Sequence, residues 1–199
     1  MGFLSEKCVF LPITEELLSE SDPFSCGDED LDNFFMQESF LYQEELLAKS
    51  YCFVLAESPK TIVCAFAVSN DSLRVDQLPN SRKKKVKRDI PGAKQMRRYP
   101  AVLIGRLGVN KEFHNKHIGA DLLSFVKWWF ISSSNKTGCR FVLVDAYNKA
   151  NLLNYYGKNG FDFLFSSEEQ ENFFVYGDTR EKLDTRLMYF DLKKLKSLD

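Results

Sequence analysis

From Ala101 to Phe161 the chain runs through a fixed order of segments: an almost wholly apolar run, AVLIGRLGVN, a polar turn, KEFHNK, an amphipathic stretch, HIGADLLSFVKWWF, a second apolar run, RFVLVDAYN, and then NLLNYYGKNGF. The two apolar runs read as strands covered on both faces. Between them, Ile118, Leu122, Val126 and Trp129 recur at spacings of four and three, which sets one apolar stripe on a helix with Asp121 and Lys127 facing out. A turn whose amides open a helix is a ready anion site. Strand, turn, helix and strand in this order suggest a phosphate-bearing cofactor laid across a sheet.

The remainder of the chain supplies partners for that unit. Cys8–Ile13 reads as a first strand, and 28–48 as an amphipathic helix, broken in two, with Asp28 and Asp30 at its electropositive start. Tyr51–Glu57 and Thr61–Ser69 are β-rich runs joined by Ser58-Pro59-Lys60, an antiparallel hairpin. Phe161–Phe165 and Leu187–Leu192 close the sheet, separated by an acidic, irregular loop through Glu168, Glu169 and Glu171. With 199 residues, 44% of them apolar, a single domain over 1–199 is expected.

Charge divides the chain unevenly. Between Arg82 and Arg98 stand nine bases against one acid, Asp89, which leaves 18 bases against 27 acids elsewhere, so a near-neutral protein carries one segment of about +8. Pro79, Pro91, Gly92 and Pro100 punctuate it, and a basic surface excursion over about 73–99, with one short helix, is expected. Such a cluster draws polyanions, although a solvated lysine-rich loop has the same composition. The longest apolar run, Ile62–Val68, is too short to span a bilayer, and no basic-then-apolar leader precedes Val9, so the reading is a cytoplasmic chain with no membrane partner. Five scattered cysteines without a C-x-x-C pair fit reduced thiols rather than a disulfide framework or a metal site.

The motifs resemble those of the GNAT N-acetyltransferases. That family's phosphate signature has Gln or Arg first, Gly fourth, and Gly or Ala sixth. It aligns with His114-Asn115-Lys116-His117-Ile118-Gly119, where Gly119 fits, His114 stands for the first residue and His117 for the first glycine. Each residue of the turn still supplies an N–H to the diphosphate if its φ stays negative. Val144–Asn148 followed by Tyr155-Tyr156-Gly157-Lys158-Asn159-Gly160-Phe161 resembles the family's strand and its Phe-Tyr-x-x-x-Gly-Phe ending. Gly105-Arg106-Leu107-Gly108-Val109 resembles the Gly-Arg-Leu-Ala-Val of GNAT toxins from toxin–antitoxin pairs, which acetylate aminoacyl-tRNA. Phe24-Ser25-Cys26-Gly27, Leu31-Asp32-Asn33-Phe34-Phe35 and Thr185-Arg186-Leu187-Met188-Tyr189-Phe190 are similar to the start and last strand of the same toxins.

The resemblance implies an α+β, sandwich-like fold, the GNAT acyl-CoA N-acyltransferase fold, with a central mixed sheet of about six to seven strands and helices on both faces. It implies acetyl-CoA as acyl donor. The backbone of Leu107, Gly108 and Val109 would hold the pantetheine, the turn His114, Asn115, Lys116, His117, Ile118, Gly119 and Ala120 the diphosphate, and Asn151 would add a contact. Tyr156 would protonate the departing thiolate. Arg106, Lys84, Lys85, Arg97 and Arg98 would meet the acceptor, an amine such as charged tRNA, and an antitoxin-like protein and a second copy of the chain are the implied protein partners. No His, Glu or Asp is nominated as base. An α-amine, with pKa near 8, demands less of a base than a lysine does. Acetylation of a small amine or a protein N-terminus, or a catalytically weakened acyl-CoA-binding module, fits the same motifs.

Overall fold

A computed structural model of the chain describes residues 2–92 and 95–196, so that Lys94, one of the nine clustered bases, lies outside the described residues. The chain divides into two compact units, one of Met1–Asn70 with Ile104–Trp129, the other of Asp71–Leu103 with Phe130–Asp199. A seven-stranded mixed sheet has the order β1-β2-β3-β4-β5-β7-β6. Its strands are β1 (Cys8–Pro12), β2 (Lys49–Leu55), β3 (Ile62–Arg74), β4 (Arg98–Val109), β5 (Phe141–Tyr147), β6 (Asp162–Phe163) and β7 (Thr185–Asp191). This is the α+β class the sequence implied.

In the first unit, β1 and β2 pair antiparallel, as do β2 and β3, the latter hairpin closed by Thr61 N–H donating to the Ser58 carbonyl at 2.9 Å. The helix expected from Asp28 is capped by that carboxylate, which accepts from Leu31 N–H. It runs as α3 (Glu29–Asn33), a single π-turn (Phe34–Glu38) and α4 (Ser39–Glu44), so the break anticipated from its spacing is a π-bulge. Short helices α1 (Phe3–Lys7) and α2 (Glu15–Glu20) flank β1. Phe24, Phe34, Phe35, Cys52, Val54 and Ile62 form one core cluster.

The long helix α6 (Ile118–Ile131) covers β1 to β3 through aromatic rings rather than through a narrow stripe. Phe125 lies 4.8 Å from both Phe10 and Phe53, and Trp129 lies 4.8 Å from Tyr51. Lys127, assigned to the outer face by spacing, is buried at 8% exposure, and Leu123 is buried beside it. Burial of Leu123 and Lys127 means that α6 is covered over more of its circumference than one stripe, and a lysine stem packs like a hydrophobe.

The second unit corrects the reading of 73–99 as a surface excursion. Leu73, Val75, Leu78, Val86, Ile90 and Tyr99 are buried with Phe141, Leu143, Leu164, Phe165 and Tyr189 in one cluster. Helix α5 (Asn80–Lys87) is therefore a wall of this core. From Arg82 to Ile90 only Val86 and, four residues on, Ile90 are apolar among the bases, and the charge count masked them. The acidic loop is also ordered: Ser167 caps α8 (Glu168–Glu171), which continues as a π-turn over Asn172–Tyr176. β7 pairs antiparallel with both β5 and β6. No helix among the described residues is long and apolar enough to cross a membrane.

Candidate active site

The turn after β4 shows why its sequence departs from the signature it resembles. Asn115 has φ +62° and His117 φ +58°, whereas Lys116 between them is not among the positive-φ residues. Alternation of sign along successive residues swings neighbouring amide N–H groups toward one point and makes an anion-binding concavity. The expectation of negative φ throughout is thus corrected: the first-glycine position does require left-handed backbone, and a histidine occupies it against its steric preference. Asn and His tolerate this region better than most residues do.

The turn's donors are open. His114, Asn115, Lys116 and His117 are exposed, and among the described residues no backbone carbonyl accepts from the amides of Asn115 to Gly119. Ile118 anchors the start of α6 at 1% exposure, and the amides of Ala120 and Asp121 both donate to the His117 carbonyl at 3.1 Å. His114 Nε2 lies 2.8 Å from the Val109 carbonyl, so that nitrogen donates and ties the turn back to β4. Lys116 Nζ sits 4.9 Å from the Phe113 ring centroid, beneath the turn.

β4 is held rigidly where it meets the turn. Asn110 Nδ2 donates to the Ile62 carbonyl at 2.9 Å, and Asn110 N–H to the Val63 carbonyl at 2.9 Å. A Cβ on Gly108 would stand 3.3 Å from Cys26 and from Phe24, which gives the glycine of Gly-Arg-Leu-Gly-Val a packing reason. Leu107 and Val109 are half-buried. Arg106 lies with its guanidinium carbon 5.2 Å from the centroid of the Phe34 ring, a partner that sequence spacing did not reveal.

Tyr156 belongs to the second unit, on α7 (Ala150–Lys158). Its ring packs edge-on against Tyr155 at 5.1 Å and Phe161 at 5.5 Å. Although the residue as a whole is only half-buried, desolvation pushes its phenol up to about 12. Asn151 is exposed in the first turn of α7. Asp145, on β5 in the same unit, is a carboxylate the sequence reading passed over; although the residue as a whole is exposed, desolvation of its carboxyl first, then the charge of Asp71, push its pKa up. An acid set between Val144 and Ala146, both buried, was the available signal.

The basic residues do not share one role. Lys85 Nζ is paired with Asp162 at 2.7 Å, and Arg82 donates through Nε to the Leu164 carbonyl at 2.7 Å and through Nη2 to that of Phe163. Both bind α5 to β6 and Leu164, and Lys85 is thereby committed to a structural pair. Lys84, Arg97 and Arg98 remain exposed. Among the described residues no group of three or more His, Cys, Asp or Glu is placed to hold a metal.

No family model matches the sequence, and no curated protein matches it. Solved structures do match in fold. A KacT variant with a Tyr-to-Phe substitution superposes with a TM-score of 0.72 at 18% identity, over 98% of this chain and 100% of that one. AtaT complexed with acetyl-methionyl-tRNAfMet gives 0.71 at 18% identity, over 96% and 98%. AtaTR bound with acetyl-CoA gives 0.69 at 18% identity, over 97% and 98%. The fold is that of the GNAT toxins KacT and AtaT.

Proposed function

We propose that the chain is an acetyl-CoA-dependent N-acetyltransferase of the GNAT toxin type, whose acceptor is the α-amino group of an aminoacyl-tRNA. The observation that carries the reading is the Asn115–His117 turn, whose alternating φ and open amides suit a diphosphate at the start of α6. The GNAT fold supports it, and so do the neighbours: one is AtaT complexed with acetyl-methionyl-tRNAfMet, another AtaTR bound with acetyl-CoA. In this reading Asn115 to Ala120 bind the diphosphate, and the β4 backbone at Leu107 to Val109 binds the pantetheine. An antitoxin-like partner and a second copy of the chain belong to the same reading.

The amine nitrogen attacks the thioester carbon, the C–N bond forms as C–S breaks, nitrogen loses a proton and sulfur leaves as thiolate. The motif resemblance assigns that departing sulfur to Tyr156 as its donor. A phenol at about 12 is a weaker acid than a thiol near 8.5, so it stabilises the leaving sulfur by a hydrogen bond rather than by handing over its proton completely. Lys84, Arg97 and Arg98 are exposed bases available to an RNA backbone. The decisive experiment incubates purified protein with labelled acetyl-CoA and charged tRNA at low salt. Label on the aminoacyl group is the expected result; charged tRNA left unacetylated, with label moving to another amine, would replace the tRNA acceptor by that amine.

A further inference from the structure

In the first unit an open cavity of about 410 Å³ lies between α1, β1, β2 and α6, a size within the range of small-molecule sites. Four aromatic rings line it. Phe10 packs on Phe53 at 5.2 Å and on Phe125 at 4.8 Å between centroids, Phe53 and Phe125 meet at 4.8 Å, and Trp128 adds its ring one turn of α6 further along the wall. Phe10 and Phe125 are only half-buried, and Trp128 is 44% exposed. The cavity therefore holds aromatic surface in contact with water, which an apolar ligand would cover at a gain.

Asp121 brings the one charge to that lining. Its Oδ2 accepts from Leu4 N–H at 2.8 Å, at the start of α1, and a Cβ on Gly2 would run into the carboxylate, so the group is fixed in place. Among the described residues Oδ1 accepts from no donor and no cation pairs with Asp121. Cys8, also on the lining, stays a neutral thiol, pushed up to about 11 by burial and then by the charge of Asp121. Lys127, the other charged side chain of α6, is buried and takes no part in the lining. A carboxylate beside aromatic rings attracts a cation through its own charge and through the negative faces of the rings. A compact, strongly hydrated ammonium gains little from such walls. An alkylated ammonium gains more, because the rings cover its methyl groups and its spread charge is cheap to dehydrate.

We propose that the cavity between α1, β1, β2 and α6 binds an organic monocation, an alkylated ammonium with an apolar body, held by the Asp121 carboxylate and the rings of Phe10, Phe53, Phe125 and Trp128. The site is separate from the turn assigned to the diphosphate. None of Asn115 to Ala120 lines the cavity, although Asp121 follows directly and its amide donates to the His117 carbonyl at 3.1 Å. Occupancy requires no acetyl-CoA, so the site stands or falls apart from the acetyltransferase reading.

The test is calorimetric titration of the whole chain with benzyltrimethylammonium and with its neutral isostere, neopentylbenzene. Saturable binding of the cation is expected, with the isostere about tenfold weaker or more. No binding of the cation at millimolar concentration, or equal binding of the two probes, overturns the proposal. Asp121→Asn keeps an oxygen for Leu4 N–H and loses the charge, and is expected to weaken the cation about tenfold; unchanged affinity overturns the proposal. Ser124→Phe sends a ring into the cavity from an exposed position of α6 and leaves Asp121 and α1 intact. It is expected to abolish binding with little change in melting temperature, and retained binding would place the probe elsewhere and overturn the assignment. Should Asp121→Asn fail to fold, Ser124→Phe and the isostere decide alone. Wild-type protein that binds benzyltrimethylammonium in an Asp121-dependent way, yet shows no thermal shift with acetyl-CoA, removes the acetyl-CoA reading and upholds this site.

Discussion

Single residues carry the strongest departures from pattern, and the clearest is His117. Left-handed backbone costs a residue with a Cβ about 1–2 kcal/mol, and glycine returns part of that through the greater freedom of the unfolded chain. His117→Gly should therefore stabilise the protein by about 0.5–1 kcal/mol, a rise in melting temperature of about 2 °C, whereas His117→Val should lower it. Both retain the amide, so a stabilised His117→Gly is expected to keep its thermal shift with acetyl-CoA. Tyr156 gives a second measurement at this scale. Its raised pKa means the folded state keeps a proton that the unfolded chain releases from about pH 10, so its contribution to stability is intact below about 10 and is lost as pH rises toward 12. In the proposed reaction the phenol stays protonated throughout the neutral range, so kcat/KM should rise only as the α-amine loses its proton near pH 8, then hold level past pH 10 until the phenol ionises toward 12. Tyr156→Phe should lower kcat about a hundredfold while leaving acetyl-CoA affinity unchanged in a binding titration.

Elements show what periodicity reveals and what it hides. β1 to β5, β7 and α6 were readable because burial imposes long apolar runs or a repeating stripe, and the strand ends fall within a few residues of the apolar runs apart from β3, which continues to Arg74. The segments that misled were those where charge dominates composition. In α5 one buried Val86 and flanking Leu78 and Ile90 decide the packing, yet five bases surround them from Arg82 to Lys87. In α8 the acid that looks most like solvent-facing loop, Glu171, is 1% exposed, receiving Arg186 Nε at 2.7 Å and Leu187 N–H at 2.7 Å. Its pKa is nonetheless raised, burial outweighing the arginine. Spacing cannot show a pair fifteen residues apart, because the contact depends on how α8 returns to β7. Glu171→Ala strands a buried guanidinium and should cost about 3–5 kcal/mol, read from chemical denaturation. A double change to Glu171→Leu with Arg186→Met should cost much less, because no unpaired charge is left. The candidate residues divide in the same way: the turn and Tyr156 were nominated from motifs, whereas the contact of Arg106 with Phe34 and the desolvation of Asp145 depend on neighbours distant in sequence.

At the scale of the whole molecule the arrangement of charge is the property that folding reshapes most. A chain of net charge −1 keeps its bases together between Arg82 and Arg98, but the fold spends Arg82 and Lys85 on fastening α5 to its own unit. Three of the five bases nominated for the acceptor, Lys84, Arg97 and Arg98, stay exposed and free to meet phosphates, so the electrostatic footprint is smaller than the sequence count. Each phosphate neutralised contributes about 0.7–0.9 to the slope of log affinity against log salt. Replacing Lys84, Arg97 and Arg98 together by Gln should lower that slope for charged tRNA by about two to three and weaken binding at every salt concentration below physiological, with the greatest loss at the lowest. Lys85→Gln should instead lower the melting temperature, because it removes a partly buried ion pair with Asp162, and should change the slope little. If Lys85→Gln lowers the slope as much as Lys84→Gln does, the bases act as one undifferentiated patch, and the division of the basic segment into fastening and binding residues is wrong.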